Sequence, residues 1–128
     1  PDEALRAAGL SKGKLAAVRD LAARSPRLGL SKLERLPDED VVDRLTTVRG
    51  ICPWTAHMFL IFALRRPDVW PVGDLGVRSG YARVHGLHAT PGEKEMTHVG
   101  EAYRPWRSAA AWYFWRALEM DPPGDRTT

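Results

Sequence analysis

The chain has 128 residues, 44% of them hydrophobic, which is enough apolar material for one core, so a single domain over 1–121 is expected, followed by a disordered tail at 122–128. Its 19 Lys and Arg against 16 Asp and Glu leave a formal charge of +3, compatible with a polyanionic partner but too mild to specify one. The lone cysteine, Cys52, excludes an internal disulfide and a four-cysteine zinc or iron–sulfur site, and the longest apolar run, Trp54 to Leu64, is too short to span a bilayer; a soluble protein of the reducing cytoplasm or nucleoid is expected.

In chain order, Glu3 to Ala8 already reads as helix. Ser11 then precedes Leu15, Val18, Leu21 and Ala22 at helical spacing, and Ser31-Lys32-Leu33-Glu34 has the capping-box pattern that opens a short helix. Pro37 to Asp40 supplies an acidic first turn for a helix with Val41, Val42, Leu45 and Val48 on its apolar face, stopped at Arg49-Gly50. Pro53 stands at the first position of the next helix, apolar almost all round to Leu64 and expected to be the buried centre of the fold. Pro67 to Gly73 reads as an extended loop. Asp74 opens a helix carrying Val77, Tyr81, Val84 and Leu87; Thr90-Pro91-Gly92-Glu93 opens another as a capping box; and Ala109 to Met120 forms the last. No strand alternation and no repeat occurs, so the fold is all-α, a helical bundle.

Two helices joined by a glycine turn at Arg49-Gly50-Ile51-Cys52-Pro53 form a helix-hairpin-helix. Such a turn offers backbone amides to a phosphate without reading sequence. The same pattern also serves as a plain helical corner with a glycine stop. Asp74, by itself, reads as a helix cap. His57, His85, His88 and His98 lack the spacing of a transition-metal site.

The strings Gly50-Ile51-Cys52-Pro53-Trp54-Thr55-Ala56, Arg66-Pro67-Asp68-Val69-Trp70-Pro71-Val72-Gly73-Asp74-Leu75-Gly76 and Arg104-Pro105-Trp106-Arg107-Ser108 together resemble the helix-hairpin-helix DNA glycosylase superfamily, in its alkylpurine, 3-methyladenine DNA glycosylase II branch. The resemblance runs from about Leu5 to Trp115 and implies the C-terminal portion of that glycosylase fold. It implies base-excision repair: a glycosylase that flips an alkylated purine such as 3-methyladenine out of duplex DNA and hydrolyses its glycosidic bond. Asp74 is then the catalytic carboxylate, and Trp54, Met58 and Trp115 line the base pocket, with core packing as the alternative at each position. Gly50, Ile51 and Cys52 contact DNA phosphate. Main-chain carbonyls of Thr46, Val48 and Ile51 hold a structural Na+ or K+, while catalysis needs no cofactor. Bifunctional members carry a lysine where this chain has Trp54, so the resemblance implies a monofunctional enzyme without lyase activity. The family's usual second hairpin glycine is Cys52 here. Family helices preceding the segment that matches Leu5 have no counterpart, so a longer polypeptide or a partner chain is expected to complete the domain. The rival readings are a sequence-independent DNA-binding module or an inactive partial domain, and a helical protein-interaction domain.

Overall fold

In the computed structural model, which describes residues 1–120, seven α-helices follow one another with short tighter or looser turns between them. No strand occurs among the described residues, as the all-α reading expects. The expected disordered tail at 122–128 lies outside the described residues. Contacts divide the chain into two compact units, Pro1–Leu64 and the part from Arg65 onward, where the sequence suggests one domain. None of the described helices is long and apolar enough to cross a membrane.

In the first unit, α1 (Asp2–Ala7) leads into α2 (Lys12–Leu28), whose N-cap Ser11 accepts the Lys14 amide at 3.3 Å. The spacing of Leu15, Val18, Leu21 and Ala22 is helical as expected, yet Val18 and Leu21 are exposed and Leu28 is the helix's buried residue. Periodicity tells which residues share a face, not whether anything covers it. Gly29, left-handed at φ 60, ends α2 and starts a 3₁₀ turn, Leu30–Arg35. Ser31 therefore lies inside that turn and makes no capping bond; the glycine stop of α2 outweighs the local capping pattern.

Helix α3 (Asp38–Thr46) has Asp38, Glu39 and Asp40 in its first turn, where carboxylates favour the positive helix end, and buries Val41 and Leu45. It packs against α4 (Pro53–Met58), which Pro53 opens at the first position as expected. Helix α4 runs on as a wider π-turn, Phe59–Ala63, closed by the Leu64 amide on the Phe59 carbonyl at 3.1 Å. This segment buries Ala56 and Leu60, but Trp54 is 45% and Phe62 60% exposed, so the expected all-round burial is confined to one face.

The second unit is built on α5 (Leu75–Val84) against α7 (Arg107–Glu119), with Gly80 set against the backbone of Phe114. Helix α6 (Glu93–Val99), continued by a 3₁₀ turn at Gly100–Tyr103, completes it. Its N-cap is Gly92, not Thr90, because Pro91 holds the chain extended ahead of the helix. Trp70, Val77, Met96, Ala111 and Phe114 form the core, with Tyr81, Tyr103 and Trp115 packed around it. The Trp70 indole stacks on Tyr103 with centroids 5.6 Å apart, and its N–H donates to the Met96 carbonyl at 2.7 Å, so a large aromatic is buried with its one polar atom satisfied.

Candidate active site and hairpin

The hairpin turn of the first unit is closed by its own hydroxyls and amides. Thr46 Oγ1 donates back to the Val42 carbonyl at 2.9 Å, and Thr47 Oγ1 donates to the Arg44 carbonyl at 2.7 Å, an acceptor among the last four that the end of α3 leaves open. The Val48 amide donates to the Leu45 carbonyl at 3.0 Å and the Ile51 amide to the Val48 carbonyl at 3.1 Å. Gly50 has φ +83, and a Cβ there would lie 2.9 Å from Cβ of Ala17, so both its backbone angle and its close approach to α2 require glycine.

A contact that sequence reasoning missed anchors this turn. The carboxylate of Asp20, on α2, accepts the Arg49 amide at 2.8 Å and the Arg24 Nε–H at 2.8 Å, and the Arg49 amide, ahead of Arg24, holds the carboxyl below its ordinary pKa. The only sequence signal is the i,i+4 pairing of Asp20 with Arg24. Cys52 is extended, at φ −96 and ψ 169, as the N-cap of α4. Its backbone thus needs no left-handed strain in place of the usual glycine. The Thr55 amide and hydroxyl facing the sulfur lower the thiol pKa, the hydroxyl lying 3.6 Å away. Trp54 and Met58 stand one turn apart on α4, Trp54 exposed and Met58 half-buried.

In the second unit, the loop ahead of α5 delivers Asp74 as the helix N-cap. Its Oδ1 accepts the Val77 amide at 2.8 Å and also the Trp115 Nε1–H at 2.8 Å, and the residue is 8% exposed. The cap expected from sequence is therefore real, and the structure brings Asp74 and Trp115 together across α5 and α7. Gly76 makes the meeting possible: a Cβ there would lie 2.9 Å from Trp115 Cδ1 and 3.0 Å from Asp74 Oδ1. A small residue two places after a capping Asp was the available signal for this approach.

The two proline-containing motifs of this unit are bonded to each other. Arg107 donates from Nε to Asp68 Oδ1 at 2.7 Å and from Nη2 to Oδ2 at 3.0 Å, and Arg104 adds a bond to Oδ2 at 3.0 Å. Arg107's hydrogen bond is the main reason that Asp68 titrates below the usual carboxylate range. Ser108 Oγ donates to the Arg66 carbonyl at 2.6 Å and accepts the Val69 amide at 2.9 Å. The start of α7 thus clamps residues 66–69, a few positions before the carboxylate that the same loop presents. Among the described residues, no group of three or more His, Cys, Asp or Glu side chains could hold a metal ion.

No protein-family model matches the chain. The chain is 38% identical over 122 residues to DNA-3-methyladenine glycosylase 1 of Schizosaccharomyces pombe, covering 92% of this chain and 53% of that protein. A solved structure of 3-methyladenine DNA glycosylase from the same yeast, in complex with abasic DNA, superimposes with a TM-score of 0.81 at 37% identity, over 92% of this chain and 59% of that one. The structure of a DNA-3-methyladenine glycosidase from Bacillus halodurans gives the same TM-score at 39% identity, over 91% and 55%. The chain spans rather more than half the length of these relatives. It is thus similar, in sequence and in all-α fold, to DNA-3-methyladenine glycosylases.

Proposed function

We propose that the chain carries the catalytic carboxylate and the DNA-holding hairpin of a base-excision-repair enzyme, a monofunctional N-glycosylase acting on a flipped alkylated purine such as 3-methyladenine. The observation that carries this reading is the buried Asp74 carboxylate, fixed at one oxygen by two N–H donors from separate helices. The names of the relatives support the same activity and the same lesion, and the abasic DNA held by the yeast enzyme supports duplex DNA as the partner.

The chemistry follows from the sugar. When the C1′–N bond breaks, its electron pair leaves with the base and the deoxyribose becomes oxocarbenium-like; a fixed carboxylate in a water-poor site stabilises that charge. Water then adds to C1′, and its proton goes to a nearby base, a role open to the same carboxylate. The base must first leave the stack. The resemblance gives Trp54 and Met58 of the first unit, and Trp115 of the second, a base-contacting role, and an indole face attracts a cationic N-alkylated ring by about 0.5–2 kcal/mol. An indole has no amine to form a Schiff base, which supports hydrolysis without strand cleavage.

At the hairpin, phosphate is assigned to the amides of Gly50 and Cys52, with Ile51 contributing through its place in the turn, since its amide already closes onto Val48. Carbonyls of Thr46, Val48 and Ile51 are assigned to a monovalent cation; neutral oxygen donors suit a hard ion, and the second lone pair of the Val48 carbonyl is compatible with it. The nucleoid of a reducing cytoplasm is the compartment proposed, and a longer polypeptide or partner chain the completion of the domain.

Replacing Asp74 by Asn tests the assignment, because the amide oxygen can still accept from Val77 and Trp115. Release of 3-methyladenine from alkylated DNA is expected to fall by at least about 100-fold, while duplex binding persists. The rival reading, in which Asp74 only caps α5 and the chain binds DNA without chemistry, requires that the parent protein release no base.

A further inference from the structure

Beside the hairpin, in the first unit, lies a cavity of about 490 Å³ that neither the hairpin nor the carboxylate uses. Asp20, Arg24, Arg27, Leu28, Arg44 and Thr47 line it. Arg24 and Arg27 stand three residues apart on one face of α2, and Arg44 reaches from α3, donating from Nη1 to the Leu28 carbonyl at 3.3 Å. That single bond fixes the Arg44 guanidinium over the end of α2. Asp20 pairs with Arg24 alone, so among the described residues no ion pair neutralises Arg27 or Arg44. Three guanidiniums against one carboxylate leave the cavity wall two positive charges in surplus, held at close quarters where their mutual repulsion is relieved by an anion. Guanidinium forks suit phosphate oxygens in particular.

The cavity shares its wall with the hairpin. Asp20 accepts the Arg49 amide, and Thr47 ends α3 immediately before the turn. We propose that this arginine-lined cavity is a second anion site that takes a backbone phosphate of the bound DNA strand next to the one held by the hairpin amides. The proposal rests on the DNA reading above and adds to it a side-chain contact that is independent of base identity.

Two measurements on the full chain test it. In the first, duplex affinity is measured between about 50 and 200 mM salt for the parent, Arg27→Gln and the Arg27→Gln/Arg44→Gln double variant. Losing one phosphate contact should lower the slope of log affinity against log salt by about 0.9, with base preference unchanged. In the second, inorganic phosphate is titrated while the arginine Nε–Hε NMR signals are followed; those of Arg24, Arg27 and Arg44 should shift saturably and together in the parent, and not in the double variant. Arg27→Gln removes a side chain with no partner among the described residues, so it keeps the test open if the double variant fails to fold. An unchanged slope in folded variants overturns the proposal. A phosphate response with unchanged duplex binding makes the cavity a free-anion site and overturns the DNA contact. A parent that binds no duplex at any salt sinks the underlying DNA reading instead, and the phosphate titration then shows separately whether the cavity takes an anion.

Discussion

A single atom, Oδ1 of Asp74, accepts from both the Val77 amide and the Trp115 indole. The first bond is the ordinary work of an N-cap. The second ties the proposed catalytic carboxylate to a helix whose sequence position is far away, and it gives Trp115 a role beyond the pocket wall assigned to it. Trp115→Phe keeps a six-membered aromatic ring and removes the donor together with the five-membered ring that carries it. A hydrogen bond to a charged group is worth about 1.5–3 kcal/mol, so single-turnover base release should fall by about tenfold to a hundredfold. The thermal midpoint should move by only a few degrees; a large loss of stability with unchanged turnover would assign the bond to folding instead. Asp74 itself was legible in the sequence, as a cap by position and as the catalytic group by resemblance. Its partner was not, since nothing in a linear pattern reports which indole reaches across two helices.

Helices α5 and α7 present this pair on a scaffold in which the loop ahead of α5 is clamped to the start of α7 by Asp68, Arg107 and Ser108. Asp68→Asn breaks the forked pairing and leaves Arg107 with a weaker acceptor. The side chain is a quarter exposed, so the cost is about 1–3 kcal/mol, read as a lower thermal midpoint. Gly76→Ala acts on the same pair from the other side: its methyl would press on Trp115 and on Asp74 Oδ1, and base release should drop more than stability does. Element existence was largely readable from apolar spacing, the acidic first turn of α3 and Pro53. Element starts were less so. Ser31 and Thr90 each begin a capping pattern, yet Gly29 and Gly92 flank the real helical turns, because a neighbouring glycine or proline sets the backbone before a side chain can cap it. The Asp20 bond to the hairpin was invisible for the same reason as the Trp115 bond: it joins segments that only the fold makes neighbours.

At the scale of the whole chain, the two units carry different titrating groups and should answer acid in different ranges. In the first unit, burial pushes His57 below its ordinary value of 6.5, and the charge of Asp38 opposes this in smaller measure. The unfolded chain then binds more protons than the folded one just below pH 6.5. This contribution to stability is full above pH 6.5 and is lost as pH falls through the lower, folded value. In the second unit, Asp68 is depressed by Arg107, so its contribution is present above the unfolded carboxylate value, about 3.9, and is lost only as pH falls through the folded value beneath it. The Arg49 and Arg24 contacts of Asp20 place the hairpin anchor in that lower range too. Hydrogen exchange read by mass spectrometry at pH 7, 6 and 5, corrected for the intrinsic rate, should therefore show protection falling in α3 and α4 while α5 and α7 hold. Replacing His57 by Gln should abolish that difference, because a neutral amide cannot take up the proton. Equal loss in both units, or none in α3 and α4 of the parent, would mean that the half-buried imidazole does not couple to the stability of the hairpin.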